Sequence, residues 1–269
     1  MRVEALQIAG ACAEPGERLN VLREYLQAQV LRSLHESGAF TCLSFVGGTA
    51  LRFVYNLRRF SEDLDFSVEE AEGYTPQPWL ARLDRSLRLA GYDATVTWND
   101  RKTVNTAWIR FGGLLHKLDL AAQPLQKLAV KVEIDTRPPA GAVTERVVIQ
   151  RHTMVALQHH DLPSMMAGKL HAIVTRPRTK GRDWYDLMWY LARVPPVLPN
   201  TTLLQNALEQ TGAAAPDTPW NRLVREAIDA ADLDAARRDV APFLEHPEEA
   251  DWITPEHFRA LVGRASGEA

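Results

Sequence analysis

The chain is poor in cysteine, in net charge and in long apolar runs, and each shortage removes a class of protein. Only two cysteines, Cys12 and Cys42, occur among 269 residues. Two thiols build neither a disulfide framework nor a zinc site, so they read as small buried or half-buried side chains. The histidines, His35, His116, His152, His159, His160, His171, His246 and His257, show no metal-ligand spacing, and His159-His160 reads as a loop pair. No apolar run approaches the roughly 20 residues a membrane helix needs, so no membrane partner is expected. The opening MRVEALQIAGACAEPGERL contains an Ala-x-Ala, but its apolar run is short and interrupted by Glu4. It is not read as a signal peptide, and the expected compartment is the cytoplasm. A net charge of −3 argues against a protein that coats nucleic acid non-specifically, though it allows a local basic patch. Neither an internal repeat nor a low-complexity tract is present.

What remains is an ordinary globular composition, 46% hydrophobic and 24% charged. Residues 16–37 read as an amphipathic helix that Gly38 ends. Residues 42–46 read as a strand, Gly47-Gly48 as a turn, 49–58 as a helix and 63–68 as a strand. A loop from Tyr74 to Pro78 precedes a helix to about Ala90, and 92–98 and 103–111 alternate as strands. LAVKVEID (128–135) is the cleanest strand, and 145–150 is another. From about residue 152 the texture turns helical: 161–175, 183–193, a proline linker at Pro195, Pro196 and Pro199, then 201–210, 219–231, 232–240 and 255–264. The fold class is α/β (α+β): a mixed sheet with flanking helices in a domain of residues 1–151, and an all-helical domain of residues 152–269. Trp98, Trp108, Trp184 and Trp189 read as packing residues.

The stretch FVGGTALRFVYNLRRFSEDLDFSV (45–68) carries the chemistry. On a strand, Asp63 and Asp65 share a face at roughly 7 Å between Cα atoms, while Leu64 and Phe66 anchor the other face. Two such carboxylates repel, and a hard cation removes the penalty. Mg²⁺, with Mn²⁺ as the alternative, takes one or two carboxylates plus substrate phosphates. Glycines let a phosphate approach the backbone, and a helix starting near Thr49 offers it unpaired N–H groups. An NTP fits both halves, its phosphates at Gly47, Gly48 and Thr49 and its metal at Asp63 and Asp65. A third carboxylate completes a two-metal site, with Glu133 the first candidate and Asp135 the second. A Gly-Gly pair or an Asp-x-Asp alone is weak evidence; the ordered strand, Gly-Gly-Thr, helix and Asp-x-Asp strand is much more specific.

This block resembles the core signature of the nucleotidyltransferase superfamily, and the wider pattern is similar to the AbiEii/AbiGii-type (MenT-like) toxins of type IV toxin–antitoxin pairs. GGTALRF is followed by RRFSEDLDF, KTVNT, VKVEID and MAGKLHAIVTRPRTKGRDWYDL, from about residue 43 to 191. The first and last blocks are specific and the middle ones loose; the region after Val194 matches nothing recognisable. Gly-Gly-Thr departs slightly from the Gly-Ser or Gly-Gly-Ser of many relatives, and Glu133 stands where an Asp is usual. The resemblance implies a metal-dependent nucleotidyltransferase that transfers NMP from an NTP to RNA, with the tRNA 3′ end as the expected acceptor, which would block translation. It also implies a cognate antitoxin, often a winged-helix DNA-binding protein that need not touch the toxin.

In the helical block the resemblance favours Lys169 as a group that steadies triphosphate charge, with Asp183 or Asp186 orienting it. Read without the resemblance, Asp183 is a good N-cap, Asp183-x-x-Asp186 imitates a capping box, and Lys169 pairs with one of them across two helices. The catalytic set is therefore Asp63, Asp65, Glu133, Lys169 and Asp186. The nucleotide-binding set is Gly47, Gly48, Thr49, Ser61, Lys102, Arg182 and Asp183, and the metal set is Asp63, Asp65 and Glu133. The basic loop 176–182 suits an RNA backbone or is simply a solvated loop, and Lys102 suits triphosphate or RNA or is a strand-edge lysine. Ser61 is assigned to the face of Asp63, where phosphorylation would add about −2 charge and oppose the triphosphate. The alternatives are a small-molecule, antibiotic-type nucleotidyltransferase and a non-catalytic nucleotide-binding partner module.

Overall fold

RVEALQIAG forms helix α1 (Arg2–Gly10), which the sequence reading does not include. Its buried stripe consists only of Ala5 and Ala9, too little apolar contrast to show a period. Helix α2 (Pro15–Glu36) follows with Pro15 in its first turn, where the missing N–H costs nothing. The computed structural model describes residues 1–213 and 217–267. The chain divides into two units. One comprises Met1–Asn56, Phe60–Pro138 and Arg146–His159; the other takes Leu57–Arg59, Pro139–Glu145 and the chain from His160 on.

The first unit continues with β1 (Leu43–Val46), α3 (Gly47–Tyr55), β2 (Asp63–Val68), α4 (Pro76–Leu89), β3 (Asp93–Asn99) and β4 (Val104–Gly112). A short helix, α5 (Leu114–Lys117), precedes β5 (Leu128–Asp135), β6 (Thr144–Arg151) and β7 (Thr153–His160). The seven strands form one mixed sheet in the order β3-β4-β5-β2-β1-β7-β6. β2 is antiparallel to β1 and parallel to β5, and β1 is parallel to β7. Register partners Phe45 and Phe66 stack at 5.3 Å between ring centres. They join Leu64, Val132, Ile134, Ile109 and Phe111 in the core.

Three local readings are corrected. Strand β7 lies where the sequence was read as leaving the sheet; TMVALQHH lacks the strict alternation of an edge strand because Leu157 to His160 are all buried. His159 and His160 are therefore buried strand residues and not a loop pair. Gly47 and Gly48 are no separate turn, since β1 runs straight into α3, whose first residues they are. Among the tryptophans named from sequence, Trp184 is buried, whereas Trp98, Trp108 and Trp189 are half-buried.

The second unit is helical after His160: α6 (Leu162–Thr175), α7 (Gly181–Ala192), α8 (Thr201–Thr211), α9 (Trp220–Ala230), α10 (Leu233–Val240) and α11 (Pro255–Ser266). α6 packs on α7, α8 and α9, and α7 packs on α10 and α11. Asp161, Asn200, Asp232 and Thr254 cap α6, α8, α10 and α11 through their side chains. No helix among the described residues is long and apolar enough to cross a membrane.

α7 and α10 meet at Gly181, whose N–H donates to Asp239 at 2.8 Å. A Cβ on Gly181 would stand 2.0 Å from the Ala236 carbonyl oxygen, a backbone atom that cannot swing away. Gly181→Ala is expected to cost about 2–3 kcal/mol, read as a lower urea midpoint at unchanged slope. A midpoint equal to that of the unmodified protein would refute so close a crossing.

Candidate active site

Strand geometry sets the carboxylate pair. Leu64 and Phe66 are buried, so Asp63 and Asp65 face the other way. β2 lies beside β5 in a register that matches Asp63 with Lys131 and Asp65 with Glu133. All four side chains share one face and are half-buried. The Lys131 ammonium is 2.7 Å from Oε1 of Glu133. It also stands 5.6 Å from the ring centre of Trp108, its register partner on β4. Asp135 lies one pair further along, opposite Ser67, and accepts from the Arg137 N–H at 2.9 Å. Register thus puts Glu133, and not Asp135, beside Asp65.

β1 brings a helix start to the same place. Its last residue, Val46, pairs with Asp65, and α3 begins at once. Gly47 has φ of +75°, and a Cβ there would stand 2.6 Å from Oδ2 of Asp65. Glycine meets both the backbone angle and the close approach. Gly48 is buried in the first turn. Thr49 is buried too, and its hydroxyl donates to the Asp63 carbonyl, tying helix to strand. Its side chain is thereby spent on the fold, so any anion contact from Thr49 falls to the backbone.

Ser61 precedes the strand and is half-buried. Strand alternation therefore does not extend to it and does not place it on the aspartates' face. Lys102 is exposed in the loop between β3 and β4, where its carbonyl accepts from the Asn105 amide at 2.8 Å. It is a loop residue and not a strand-edge lysine.

The donors on this face are all carboxylate oxygens, the chemistry of a hard cation. Among the described residues no three His, Cys, Asp or Glu side chains converge closely enough to hold an ion by themselves. Two carboxylates completed by substrate phosphates is the usual Mg²⁺ arrangement, so the residues fit an ion that arrives with a nucleotide. An open cleft of about 630 Å³ borders Asp63. Arg23, Trp108, Lys127 and Lys131 line it, together with Glu62, which is 3.6 Å from Arg23.

Sequence reasoning missed the supports of this site. Buried Gln27 on α2 donates to the carbonyls of Ser61 at 3.1 Å and Glu62 at 2.9 Å, clamping the entry to β2. Glu24, one turn earlier, meets Arg52 of α3, Arg151 at 2.9 Å and His152 at 2.9 Å. Burial pushes the Glu24 carboxyl up, but the His152 hydrogen bond and the Arg52 and Arg151 charges pull it down to about 2. A folded-state pKa below the ordinary 4.5 means stability that is present above that value and lost as pH falls through about 2. The signal was in the sequence: Asn20, Glu24 and Gln27 recur at helical spacing inside the apolar stripe of α2. Gln27→Leu strands two carbonyls and is expected to lower stability by about 2–3 kcal/mol in chemical denaturation. An unchanged midpoint would show that the clamp contributes nothing.

The second unit holds a chain of buried charge. Lys169, in mid-α6, is 2.8 Å from Oδ1 of Asp183 and 2.8 Å from Oδ2 of Asp186. Arg59 grips Asp186 with Nε and Nη2, each at 2.6 Å. Arg176 closes the other end on Asp183. Asp183 is not the N-cap of α7: that place falls to Lys180, and Asp183 is the third helical residue, turned inward. Burial opposes the Lys169 charge, but Asp183 and Asp186 outweigh it and hold its pKa above the ordinary lysine value. Burial likewise pushes Asp183 up, and Lys169 and Arg176 more than reverse that. The Asp183 contribution is therefore lost as pH falls through its lowered pKa, and the Lys169 contribution as pH rises through its raised one. Arg182, assigned to nucleotide from sequence, lies 4.3 Å over the Phe243 ring.

Arg59 was not singled out from the sequence, because nothing in the spacing of RRFSED points to Asp186. Asp186 has no exposed surface. Asp186→Asn unbalances Arg59 and Lys169 and is expected to cost about 3–5 kcal/mol, read by urea unfolding. A cost below about 1 kcal/mol would mean the fork is water-screened.

Over residues 29–263 the sequence matches the family described as nucleotidyl transferase AbiEii toxin, type IV TA system. No curated protein matches. Two Helicobacter pylori crystal structures are similar in fold. One, titled as a candidate nucleotidyltransferase, is 19% identical with a TM-score of 0.52 over 92% of this chain and 96% of that one. The other, JHP933, is 19% identical with a TM-score of 0.52 over 93% of this chain and 94% of that one.

Proposed function

The chain belongs to the AbiEii nucleotidyl transferase toxin family of type IV toxin–antitoxin systems, and from that premise we propose that it transfers a nucleoside monophosphate from an NTP to RNA, at the 3′ end of tRNA. The observation that carries the reading is the half-buried Asp63/Asp65 pair, with Asp65 pressed against Gly47 at the start of α3 and paired in register with Glu133. Mg²⁺, or Mn²⁺, held by Asp63 and Asp65 would supply positive charge at the α-phosphate and the departing pyrophosphate. The first N–H groups of α3 and the positive end of its dipole favour phosphate oxygens beside the aspartates. Glu133, which holds Lys131 at 2.7 Å, would serve as the third carboxylate beside such an ion, and Lys131 would offer its charge to phosphate. The acceptor hydroxyl attacks the α-phosphorus: the new O–P bond forms, the bond to pyrophosphate breaks, and the proton passes to a carboxylate on this face.

The cleft beside Asp63 supports a polyanionic acceptor. Arg23, Lys127 and Lys131 suit phosphates, and Trp108 suits a base. The cleft's three cations outnumber the two acids of its lining, Glu62 and Asp63, which disfavours the cationic drug that an antibiotic-type enzyme modifies. Family membership implies an antitoxin partner, and we propose that the pairing does not require direct contact.

The test incubates the protein and Asp65→Asn with Mg²⁺, total tRNA and each α-labelled NTP in turn. Label from one NTP is expected, reduced at least ~100-fold in the variant. No label from any NTP with the unmodified protein would sink the RNA-transferase reading, and label undiminished in Asp65→Asn would sink the assignment of the carboxylates.

A further inference from the structure

The second unit carries a cleft of about 550 Å³ beside the loop between α6 and α7. Arg176, Arg178, Lys180 and Arg222 line it, against two acids, Asp183 and Glu226. Both acids are already engaged. Asp183 holds Lys169 and Arg176, and Glu226 holds Arg222 at 2.8 Å. Lys180 is half-buried in the wall, where it shares the attraction of Asp183 with Lys169 and Arg176. Burial and the neighbouring Arg182 and Arg176 charges hold its pKa below the ordinary lysine value, and Asp183 offsets them only in part. An ammonium so placed gains from a further anion. The chain as a whole carries −3, so this surplus of positive charge is local. The rest of the lining is mainly apolar, with Ile173, Trp184, Leu223 and Ala227 among it, and adds the hydroxyls of Thr179 and Thr218.

We propose that this cleft binds a nucleoside phosphate, its phosphate oxygens on Lys180, Arg176 and Arg178 and its sugar and base against Ile173, Leu223 and Ala227. The choice of a nucleoside phosphate over a bare anion rests on the function proposed above. The unit arrives either as one nucleotide of an RNA strand or as a free nucleotide. Both sources present the same chemistry: a phosphoryl anion joined to a flat, weakly polar group.

The experiment uses the full chain in EDTA, so that the carboxylate pair gains nothing from a cation. One arm follows a fluorescein-labelled 12-nucleotide RNA by anisotropy; the other follows ATP by calorimetry. Lys180→Gln is expected to weaken one of the two about tenfold, and Lys180→Arg to restore most of it. If RNA is the source, its salt slope also falls by about 1. The ligand-free Lys180→Gln protein is expected to melt at or above the temperature of the unmodified one, because an unfavourable charge has gone. Both affinities within twofold of the unmodified protein would overturn the site. Weakened binding with a clearly lowered melting point would make Lys180 structural and also overturn it. Inorganic pyrophosphate competing as well as ATP would overturn the nucleoside part. Lys180-dependent binding without nucleotide transfer would sink the proposed function and leave the cleft standing.

Discussion

The parallel register of β2 on β5 is the constraint on which the first unit depends. It is enforced by burial of Leu64, Phe66, Val132 and Ile134, each at most 3% exposed. Because side chains alternate, that burial sends Asp63, Asp65, Lys131 and Glu133 together to the opposite face. A slip of one residue would drive the carboxylates into the core. The acidic face is thus held by hydrophobic burial, against the mutual repulsion of its members. β1 and α3 use the same register: Val46 ends opposite Asp65, so the helix must start where the carboxylate stands, and Gly47 is the residue that allows it.

Elsewhere in the first unit, and again within the second, the chain buries charge in linked sets. Glu24 holds Arg52, Arg151 and His152; Asp183 and Asp186 share Lys169 between Arg59 and Arg176. Desolvation cancels much of the gain from such pairs, so their worth lies more in fixing one arrangement than in net stability. Removing one member is costly because it leaves the others uncompensated in a dry site. For the second set this alters how its carboxylates are read. Asp186 is fully buried and committed to Arg59, and a loss of activity on changing it would report on folding as readily as on chemistry.

Much of the frame was legible. LAVKVEID alternates so regularly that β5 occupies the residues read for it, and DLDFSV did the same for β2. α2, α6 and the later helices announced themselves by their texture, and the structure adds the side-chain caps of Asp161 and Asn200. α1 was hidden because alanine gives little contrast. β7 was hidden because a strand covered on both faces loses the alternation by which strands are recognised. The cap reading of Asp183 stood open beside its pairing with Lys169, because composition at a helix start is the same whether the carboxylate bonds its own backbone or a lysine from another helix.

The sequence by itself determined what strand and helix periods dictate: that Asp63 and Asp65 share a face, that glycines stand between a strand and the helix through Thr49, and that a lysine-bearing helix precedes an aspartate-bearing one. These follow from spacing along one element, where geometry is local. Tertiary structure decided which residues meet across elements. It chose Glu133 over Asp135 beside Asp65, gave Glu133 to Lys131, gave the Thr49 hydroxyl to the Asp63 carbonyl, and brought Arg59 to Asp186 across 127 positions of chain. Such partners are selected by register and by the need to neutralise buried charge, and neither is written in the spacing of a single segment.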